Sequence, residues 1–241
     1  MSARVFSKYD NESFPFRFQA QLEIKTLVGG IPSNKKVAEG WLKSKLTDTD
    51  DNIREMVAKV MVERQVTTDE AIEIVNEEKN LNGFRRTPDG QLFIEGRQIK
   101  AAMKEAVGCA VSVGKVNMTG WGSTRKWLSN FFPEHAFVLE ETVPIFQRDE
   151  KGELVAVKDA SGISQQFVHT HRGSSIQHQE FVADAVISFL VISDHPFTAK
   201  DWAMIWTSGE YQGVGASRSQ GFGKYAVTQW DKIDLEGKKT K

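Results

Sequence analysis

The chain has 241 residues, enough to bury one full hydrophobic core, and its 31 basic and 32 acidic residues give a net charge of −1 at pH 7. Its single cysteine, Cys109, excludes an intrachain disulfide framework and argues against a cysteine-based metal site. The near-neutral charge argues against a strongly electrostatic, non-specific binder of nucleic acid. We expect one elaborated domain over residues 1–241, with Cys109 as a buried structural thiol.

No apolar segment at the start of the chain resembles a signal peptide, and no apolar run approaches the length needed to cross a membrane. We therefore expect a cytoplasmic protein without a membrane partner. Residues 234–241 include three lysines and are predicted to form a flexible basic tail.

Apolar and polar residues alternate from Phe16 to Lys25, which predicts a first strand with one buried face and one solvated face. Helical patterns and capping residues then fill residues 33–82, and we predict an inserted helical subdomain there. Residues 47–80 hold ten acidic and four basic residues, so the rest of the chain has 27 basic and 22 acidic residues, a net charge of +5. The sequence therefore leaves room for a basic face outside an acidic insertion.

A short extended piece at residues 91–94 leads to Gly96 and then to a helix with a predicted buried face. That face is formed by Ile99, Ala102, Met103, Ala106 and Val107. The first turn of a helix presents free amide groups that suit a phosphate, so Gly96, Arg97, Gln98 and Lys100 are candidate RNA-binding residues. The alternative is that the bases are ordinary surface residues of an amphipathic helix.

The middle of the chain offers a second group of candidates. Residues 120–127 combine flexible glycines, bases and two tryptophans, and single-stranded nucleic acid needs such aromatic and cationic groups side by side. Arg125, Lys126 and Trp127 are therefore candidate RNA-binding residues, although tryptophans also serve as core anchors. A hairpin is predicted from residues 137–146 and 154–158 around the turn at 149–152.

Two histidines, His169 and His171, stand two residues apart on a predicted strand and so face the same side, with Arg172 beside them. We predict that these three residues contact RNA, with ordinary surface packing as the alternative. No third metal ligand is identifiable, so no metal site is predicted.

The C-terminal third is predicted to form strand, helix, glycine-rich loop and strand. Residues 181–192 predict a central strand, Thr198 and Asp201 form a capping box, and an apolar face at helical spacing follows until Gly209. Residues 224–230 are β-branched and aromatic and predict the last strand.

Between that helix and that strand lies the segment Gly213–Gly223, in which two Gly-apolar-Gly units flank five small or polar residues around Arg218. Glycine is needed where the backbone takes a positive φ or lets a ligand approach the main chain. Free amides and Arg218 would suit a phosphate. The alternative is a glycine-rich turn without a ligand. The candidate RNA-binding residues here are Gly213, Gly215, Ser217, Arg218, Ser219, Gly221, Phe222 and Gly223.

This loop resembles the C-terminal glycine-rich loop of the RAMP superfamily of CRISPR-associated RNA-binding proteins. The stretch Leu92–Lys104 resembles the turn into the first helix of the backbone subunits of CRISPR effector complexes, with Glu95 and Arg97 in place of a proline and a serine. The resemblance covers roughly residues 16–27, 91–107 and 181–230, and it leaves out the helical insertion.

The resemblance implies an α+β protein with a ferredoxin-like, RRM-related βαββαβ core, a helical insertion and a projecting β-hairpin. It also implies an RNA-binding backbone subunit that coats guide RNA. Such a subunit would associate head to tail with copies of itself and with other effector subunits.

Two other functions stay open from the sequence. One is a metal-independent endoribonuclease that processes CRISPR repeat RNA; such members of the superfamily often use a histidine from the N-terminal half, and no histidine precedes His135 here. The other is a single-stranded-DNA-binding protein of the same fold, for example a viral one. No catalytic residue, cofactor or metal ion is predicted.

Overall fold

The computed structural model describes residues 10–32, 51–71, 81–112, 131–170 and 173–234. Its labelled helices are α1 (Asp10–Ser13), α2 (Asp51–Arg64), α3 (Gly96–Ser112) and α4 (Ala199–Gln212). Its strands are β1 (Phe16–Val28), β2 (Ile31–Pro32), β3 (Leu81–Gly83), β4 (Arg85–Arg86), β5 (Leu92–Glu95), β6 (Ala136–Val138), β7 (Thr142–Arg148), β8 (Leu154–Ala156), β9 (Gly162–Thr170), β10 (Gly173–Ser193) and β11 (Tyr225–Ile233). Residues 68–71 and 131–135 are also helical.

The chain divides into two compact units. The first unit consists of Met1–Leu27, Phe93–Val157 and Ala183–Lys241, and the second of Val28–Leu92 and Lys158–Val182. Strand β10 therefore contributes its first ten residues to the second unit and the remainder to the first.

The first unit has the connectivity of a ferredoxin-like domain. Its strand order is β11-β1-β10-β7-β5, with β1 antiparallel to β11 and β10 antiparallel to β7. Helix α3 lies in the chain between β1 and β7, helix α4 lies between β10 and β11, and the two helices pack against each other. Taking β1, β7, β10 and β11 as the four core strands gives βαββαβ with the spatial order 4-1-3-2, which confirms the predicted fold class.

The buried faces of β1 and α3 are the predicted ones. Ala20, Leu22 and Ile24 of β1 are each at most 1% exposed. The predicted buried face of α3 is likewise buried: Ile99, Ala102, Met103, Ala106 and Val107. Period-2 and period-3.6 apolar patterns place these side chains on one side of their elements, where they exclude water from a common core.

Helix α4 anchors that core with tryptophans. Trp202 is 2% exposed and its ring lies 5.4 Å from Phe18, 5.2 Å from Phe197 and 4.9 Å from Trp230. The capping box is confirmed, because the Asp201 amide donates to the Thr198 side chain and the Thr198 amide donates to the Asp201 carboxylate. This box satisfies amide groups that the first helical turn leaves without partners.

Gly209 does not end α4, contrary to the prediction. The helix continues to Gln212, and Gly213 caps it with φ of 77°. Gly209 is buried inside the helix, where a Cβ would collide with the hydroxyl oxygen of Tyr225 and press on Ala106. The glycine therefore serves close packing rather than helix termination.

The second unit contains a long hairpin that the sequence did not predict. Strand β10 begins at Gly173 rather than at Phe181, and it pairs with β9 in unbroken register from Gly173 opposite Thr170 to Phe181 opposite Gly162. Residues 173–180 are mostly polar and show no apolar run, so only their backbone pairing identifies them as a strand. The predicted hairpin around residues 149–152 also forms, from β7 and β8, but it begins at Thr142.

Glu180 of β10 organises the second unit. Its side chain is buried, accepts a hydrogen bond from the Phe84 amide at 3.0 Å and pairs with Arg86 at 2.9 Å. Its backbone carbonyl accepts a hydrogen bond from the Gly29 amide at 2.9 Å. Removing this carboxylate would leave the buried Phe84 amide and the Arg86 guanidinium without their partner.

The predicted insertion over residues 33–82 is described only in part and stays a prediction as a subdomain. Helix α2 and the capping box of Thr67 and Glu70, whose side-chain oxygens lie 2.9 Å apart, agree with it. The Leu81–Gly83 strand lies at its end. In the described part of the chain no helix is long and apolar enough to span a bilayer.

Candidate nucleic-acid interface

The four glycines of the loop all have a positive φ, as the sequence predicted. Their φ angles are 77° for Gly213, 87° for Gly215, 89° for Gly221 and 74° for Gly223. Such a conformation costs a residue with a side chain roughly 1–2 kcal/mol, so glycine is the natural choice at each position. Ser217, with φ of 54°, shares this conformation despite its side chain.

The outer pair of glycines closes the loop on itself. The Val214 amide donates to the Gly223 carbonyl at 2.9 Å, and the Gly223 amide donates to the carbonyl of Thr26 in β1 at 2.9 Å. A Cβ on Gly223 would collide with the Val214 backbone, and one on Gly213 would lie 2.8 Å from the Phe222 carbonyl oxygen. The loop's own packing therefore accounts for both buried glycines without a ligand.

Of the inner pair, Gly221 has no such packing explanation. Gly221 is exposed, and a Cβ there would have no heavy atom within 4 Å. Residues 218–220 form a 3₁₀ turn in which the Gln220 and Gly221 amides donate to the Ser217 and Arg218 carbonyls at 3.0 and 2.9 Å. The space in front of Gly221 and the exposed Ser219 is thus open to a ligand's backbone.

Arg218 forms an ion pair within the chain, a contact that the sequence did not predict. Its guanidinium forms two hydrogen bonds with the carboxylate of Glu105 in α3, at 2.6 and 3.0 Å. The Arg218 side chain is only 25% exposed, whereas that of Glu105 is 51% exposed. A phosphate would have to share Arg218 with this carboxylate or displace it.

Residues of the predicted phosphate site at the start of α3 make internal contacts. A Cβ on Gly96 would collide with the Glu140 carbonyl oxygen, and the Gly96 amide donates to the Glu141 carbonyl at 3.0 Å. The Arg97 side chain pairs with Glu95, and the Gln98 side chain accepts a hydrogen bond from the Glu95 amide at 3.1 Å.

Lys100, the other base of this first turn, also has an internal partner. Its ammonium lies 3.8 Å from the centroid of the Phe137 ring, and burial lowers its pKa from the ordinary value. A cation held over an aromatic face is partly withdrawn from solvent. The side chains of Arg97, Gln98 and Lys100 thus each have an internal partner, and that of Arg97 is 76% exposed.

Helix α3 links the two candidate stretches. Arg97 stands in its first turn, and Glu105, which holds Arg218, follows eight residues later. At 1.5 Å per residue this is a separation of about 12 Å along the helix axis. The structure therefore brings both stretches to one helix, a proximity that the sequence alone did not reveal.

The remaining candidates are only partly placed. Arg125, Lys126, Trp127, His171 and Arg172 lie outside the described residues. For His169 the structure gives the backbone position, in β9 opposite Ser174 of the adjacent strand. Their contacts with RNA stay predictions.

The sheet of the first unit carries a depression, lined by both charged and apolar residues, that sequence reasoning did not single out. It has a volume of about 330 Å³, and Arg148 on its wall pairs with Glu23 at 2.7 Å. Asp184 also lines it and has φ of 46°, an uncommon conformation for a residue with a side chain. The signal in the sequence was the polar half of the alternation in β1, to which the lining residue Glu23 belongs.

Comparison with known proteins finds a structural likeness but no sequence relative. No protein-family model matches the chain, and no curated protein matches it. Among solved structures it is similar to a chain in the cryo-EM structure of the Type III-B Cmr-beta bound to cognate target RNA. The two chains are 10% identical, the alignment covers 94% of this chain and 63% of that chain, and the TM-score is 0.46. The fold assignment therefore rests on the strand order and helix positions of this chain itself.

Proposed function

We propose that this protein binds single-stranded RNA through the loop Gly213–Gly223 and serves as an RNA-binding backbone subunit of a CRISPR-like ribonucleoprotein. The observation that carries the proposal is the loop itself. Four glycines with a positive φ lie between helix α4 and strand β11 of a ferredoxin-like core. The RAMP resemblance implies a glycine-rich loop at the same position.

The geometry supports two different roles for the glycines of the loop. Gly213 and Gly223 shape it through their packing, whereas Gly221 leaves main chain accessible. The amides of Gly215, Ala216 and Ser219 take no part in the turn hydrogen bonds formed by Gln220 and Gly221. Backbone amides in such a turn suit an RNA phosphate, because they offer donors without side-chain bulk.

Arg218 contributes the positive charge in this proposal. Its two hydrogen bonds with Glu105 hold the guanidinium at the loop in a fixed orientation. A phosphate, like a carboxylate, can accept two parallel hydrogen bonds from one guanidinium. RNA would therefore compete with Glu105 for the two N–H donors of Arg218. RNA affinity then depends on how firmly Glu105 holds its partner.

We also propose that copies of the protein associate head to tail along the RNA, with other effector subunits at the ends. A head-to-tail contact that does not close into a ring gives an open helical assembly. Light scattering with and without RNA tests this part of the proposal. A particle that stays monomeric in both conditions contradicts it.

A matched pair of glycine substitutions tests the RNA site. Gly221 and Gly90 have φ of 89° and 88°, each donates its amide at 2.9 Å to close a turn, and each has open space where a Cβ would stand. Gly221→Val and Gly90→Val should therefore destabilise the protein to a similar extent, on the order of 1–2 kcal/mol, by the same backbone strain.

Only Gly221→Val should also lose RNA affinity, measured by fluorescence anisotropy with a labelled oligoribonucleotide. Gly90→Val measures the affinity change that comes from the strain alone. Wild-type RNA affinity in Gly221→Val would mean that the loop is a turn without a ligand.

A further inference from the structure

The depression in the sheet of the first unit holds charged groups of both signs. Its lining includes the carboxylates of Glu23 and Asp184 and the cations of Lys25 and Arg148, so these four groups give it a net charge of zero. Three apolar residues complete the lining. A phosphate is attracted by net positive charge, whereas a neutral ligand with both donors and acceptors matches a balanced set of groups. The depression therefore suits the edge of a nucleobase better than the RNA backbone.

Contacts on two sides fix the guanidinium of Arg148. Its Nε and Nη2 donate to Oε1 of Glu23 at 3.2 and 2.7 Å, and its Nη1 donates to the Gly152 carbonyl at 3.0 Å. Glu23 belongs to β1 and Arg148 to β7, and β10 lies between these strands in the sheet, so the ion pair reaches across β10. A guanidinium has five N–H donors, and these contacts use three of them. One N–H on Nη1 and one on Nη2 therefore take no part in these contacts.

Asp184 offers hydrogen-bond acceptors in the same depression. Its side chain is exposed and makes no hydrogen bond or ion pair with another described residue. Ala185 of β10 lies opposite Gln147 of β7, so their neighbours Asp184 and Arg148 lie at the same end of this antiparallel pairing. The φ of 46° at Asp184 is uncommon for a residue with a side chain, and such conformations are concentrated at ligand-binding sites.

We propose that this depression is a guanine-specific subsite for one unpaired base of the bound RNA. The inference rests on the proposed RNA binding, because the bound strand brings the base to the depression. O6 and N7 of guanine accept hydrogen bonds side by side, which matches the two remaining N–H groups of Arg148. N1–H and the N2 amino group of guanine donate side by side, which matches the carboxylate of Asp184.

The same two side chains discriminate against the other bases. Adenine carries an amino group in place of O6 and has no proton on N1, so it sets donors against Arg148 and offers fewer donors to Asp184. Cytosine and uracil have no N7 and cannot fill both pairs of contacts. The volume of about 330 Å³ lies at the lower end of the range for ligand pockets, roughly 300–1,000 Å³, which suits a single base.

The test compares a short labelled oligoadenylate with the same strand carrying one central guanine, using fluorescence anisotropy. Guanine should raise the affinity of the wild-type protein about tenfold over adenine. Hypoxanthine lacks the N2 amino group and 7-deazaguanine lacks N7, so each should keep only part of that gain. In isothermal titration calorimetry, free guanosine should bind the protein and free adenosine should not.

Variants assign the preference to the two side chains. Asp184→Asn should lose the preference for guanine, and asparagine tolerates a positive φ as aspartate does, so the change adds no backbone strain. Arg148→Lys keeps the positive charge but lacks the planar pair of donors, and it should lose the preference as well. Glu153→Gln removes one negative charge from the neighbouring hairpin, as Asp184→Asn does from the depression, and it should keep the preference.

Wild-type protein that binds both strands equally and does not bind guanosine overturns this inference and leaves the proposed function standing. A preference for guanine that survives in both Asp184→Asn and Arg148→Lys overturns it as well. Protein that binds guanosine but neither strand contradicts the proposed RNA binding and keeps the depression as a guanine site. Protein that binds neither guanosine nor RNA contradicts both.

Discussion

Replacing Glu105 by glutamine should strengthen RNA binding while weakening the fold slightly. Glu105 holds Arg218 through two hydrogen bonds, but its side chain is 51% exposed, so solvent screens the pair. Pairs of this kind stabilise proteins by roughly 0.2–1 kcal/mol. In the proposed site RNA competes with Glu105 for Arg218, so the same energy opposes binding, and releasing up to about 1 kcal/mol raises affinity by at most about fivefold.

The assay is an anisotropy titration at fixed salt, with urea unfolding measured beside it. Glu63→Gln is the control, because Glu63 also forms a surface ion pair, with Lys59 at 3.8 Å, and its replacement changes the net charge equally. Arg218→Gln completes the set. It should weaken binding and reduce the slope of log affinity against log salt by about 0.7 for each phosphate that the protein no longer neutralises. The reasoning is refuted if Glu105→Gln binds RNA no more tightly than Glu63→Gln does.

Two further predictions concern stability. Glu180→Ala should lower the free energy of unfolding in urea by about 3–5 kcal/mol, because it leaves the buried Phe84 amide and Arg86 without their partner. Glu23→Ala breaks only a partly exposed pair and should lower it by about 1 kcal/mol or less. Equal losses of stability in the two variants would contradict this. Glu140 accepts a hydrogen bond from the Leu190 amide, and burial raises its pKa, so the folded state binds its proton more readily than the unfolded state does. Relative to Glu140→Gln, wild-type protein should therefore gain stability as pH falls from 7 through that raised pKa towards the ordinary value of 4.5, and parallel thermal-melting curves across this range would refute the assignment.

Local patterns in the sequence predicted the elements of the core. The alternation of β1 and the apolar stripe of α3 identified buried side chains such as Leu22 and Ile99, because each pattern reports which side of one element faces the core. The glycine spacing in the C-terminal loop correctly predicted positive φ, since that property belongs to single residues.

Contacts between distant residues were beyond such patterns. Arg218 and its partner Glu105 are 113 positions apart, and His135 and Asp194 are 59 apart. Only the folded arrangement of α3, α4 and β10 brings these residues together. The sequence therefore predicted neither the pairing of Arg218 with Glu105 nor that of His135 with Asp194, because such contacts leave no local signal.

The measurement that tests the central claim most directly is a titration of wild-type protein with a labelled single-stranded oligoribonucleotide from low to high salt, with heparin as competitor. The proposed function predicts that the RNA binds more tightly than heparin at every salt concentration, with a modest salt slope because few basic groups face the ligand. RNA binding that heparin matches or abolishes at equal charge would contradict a dedicated RNA site.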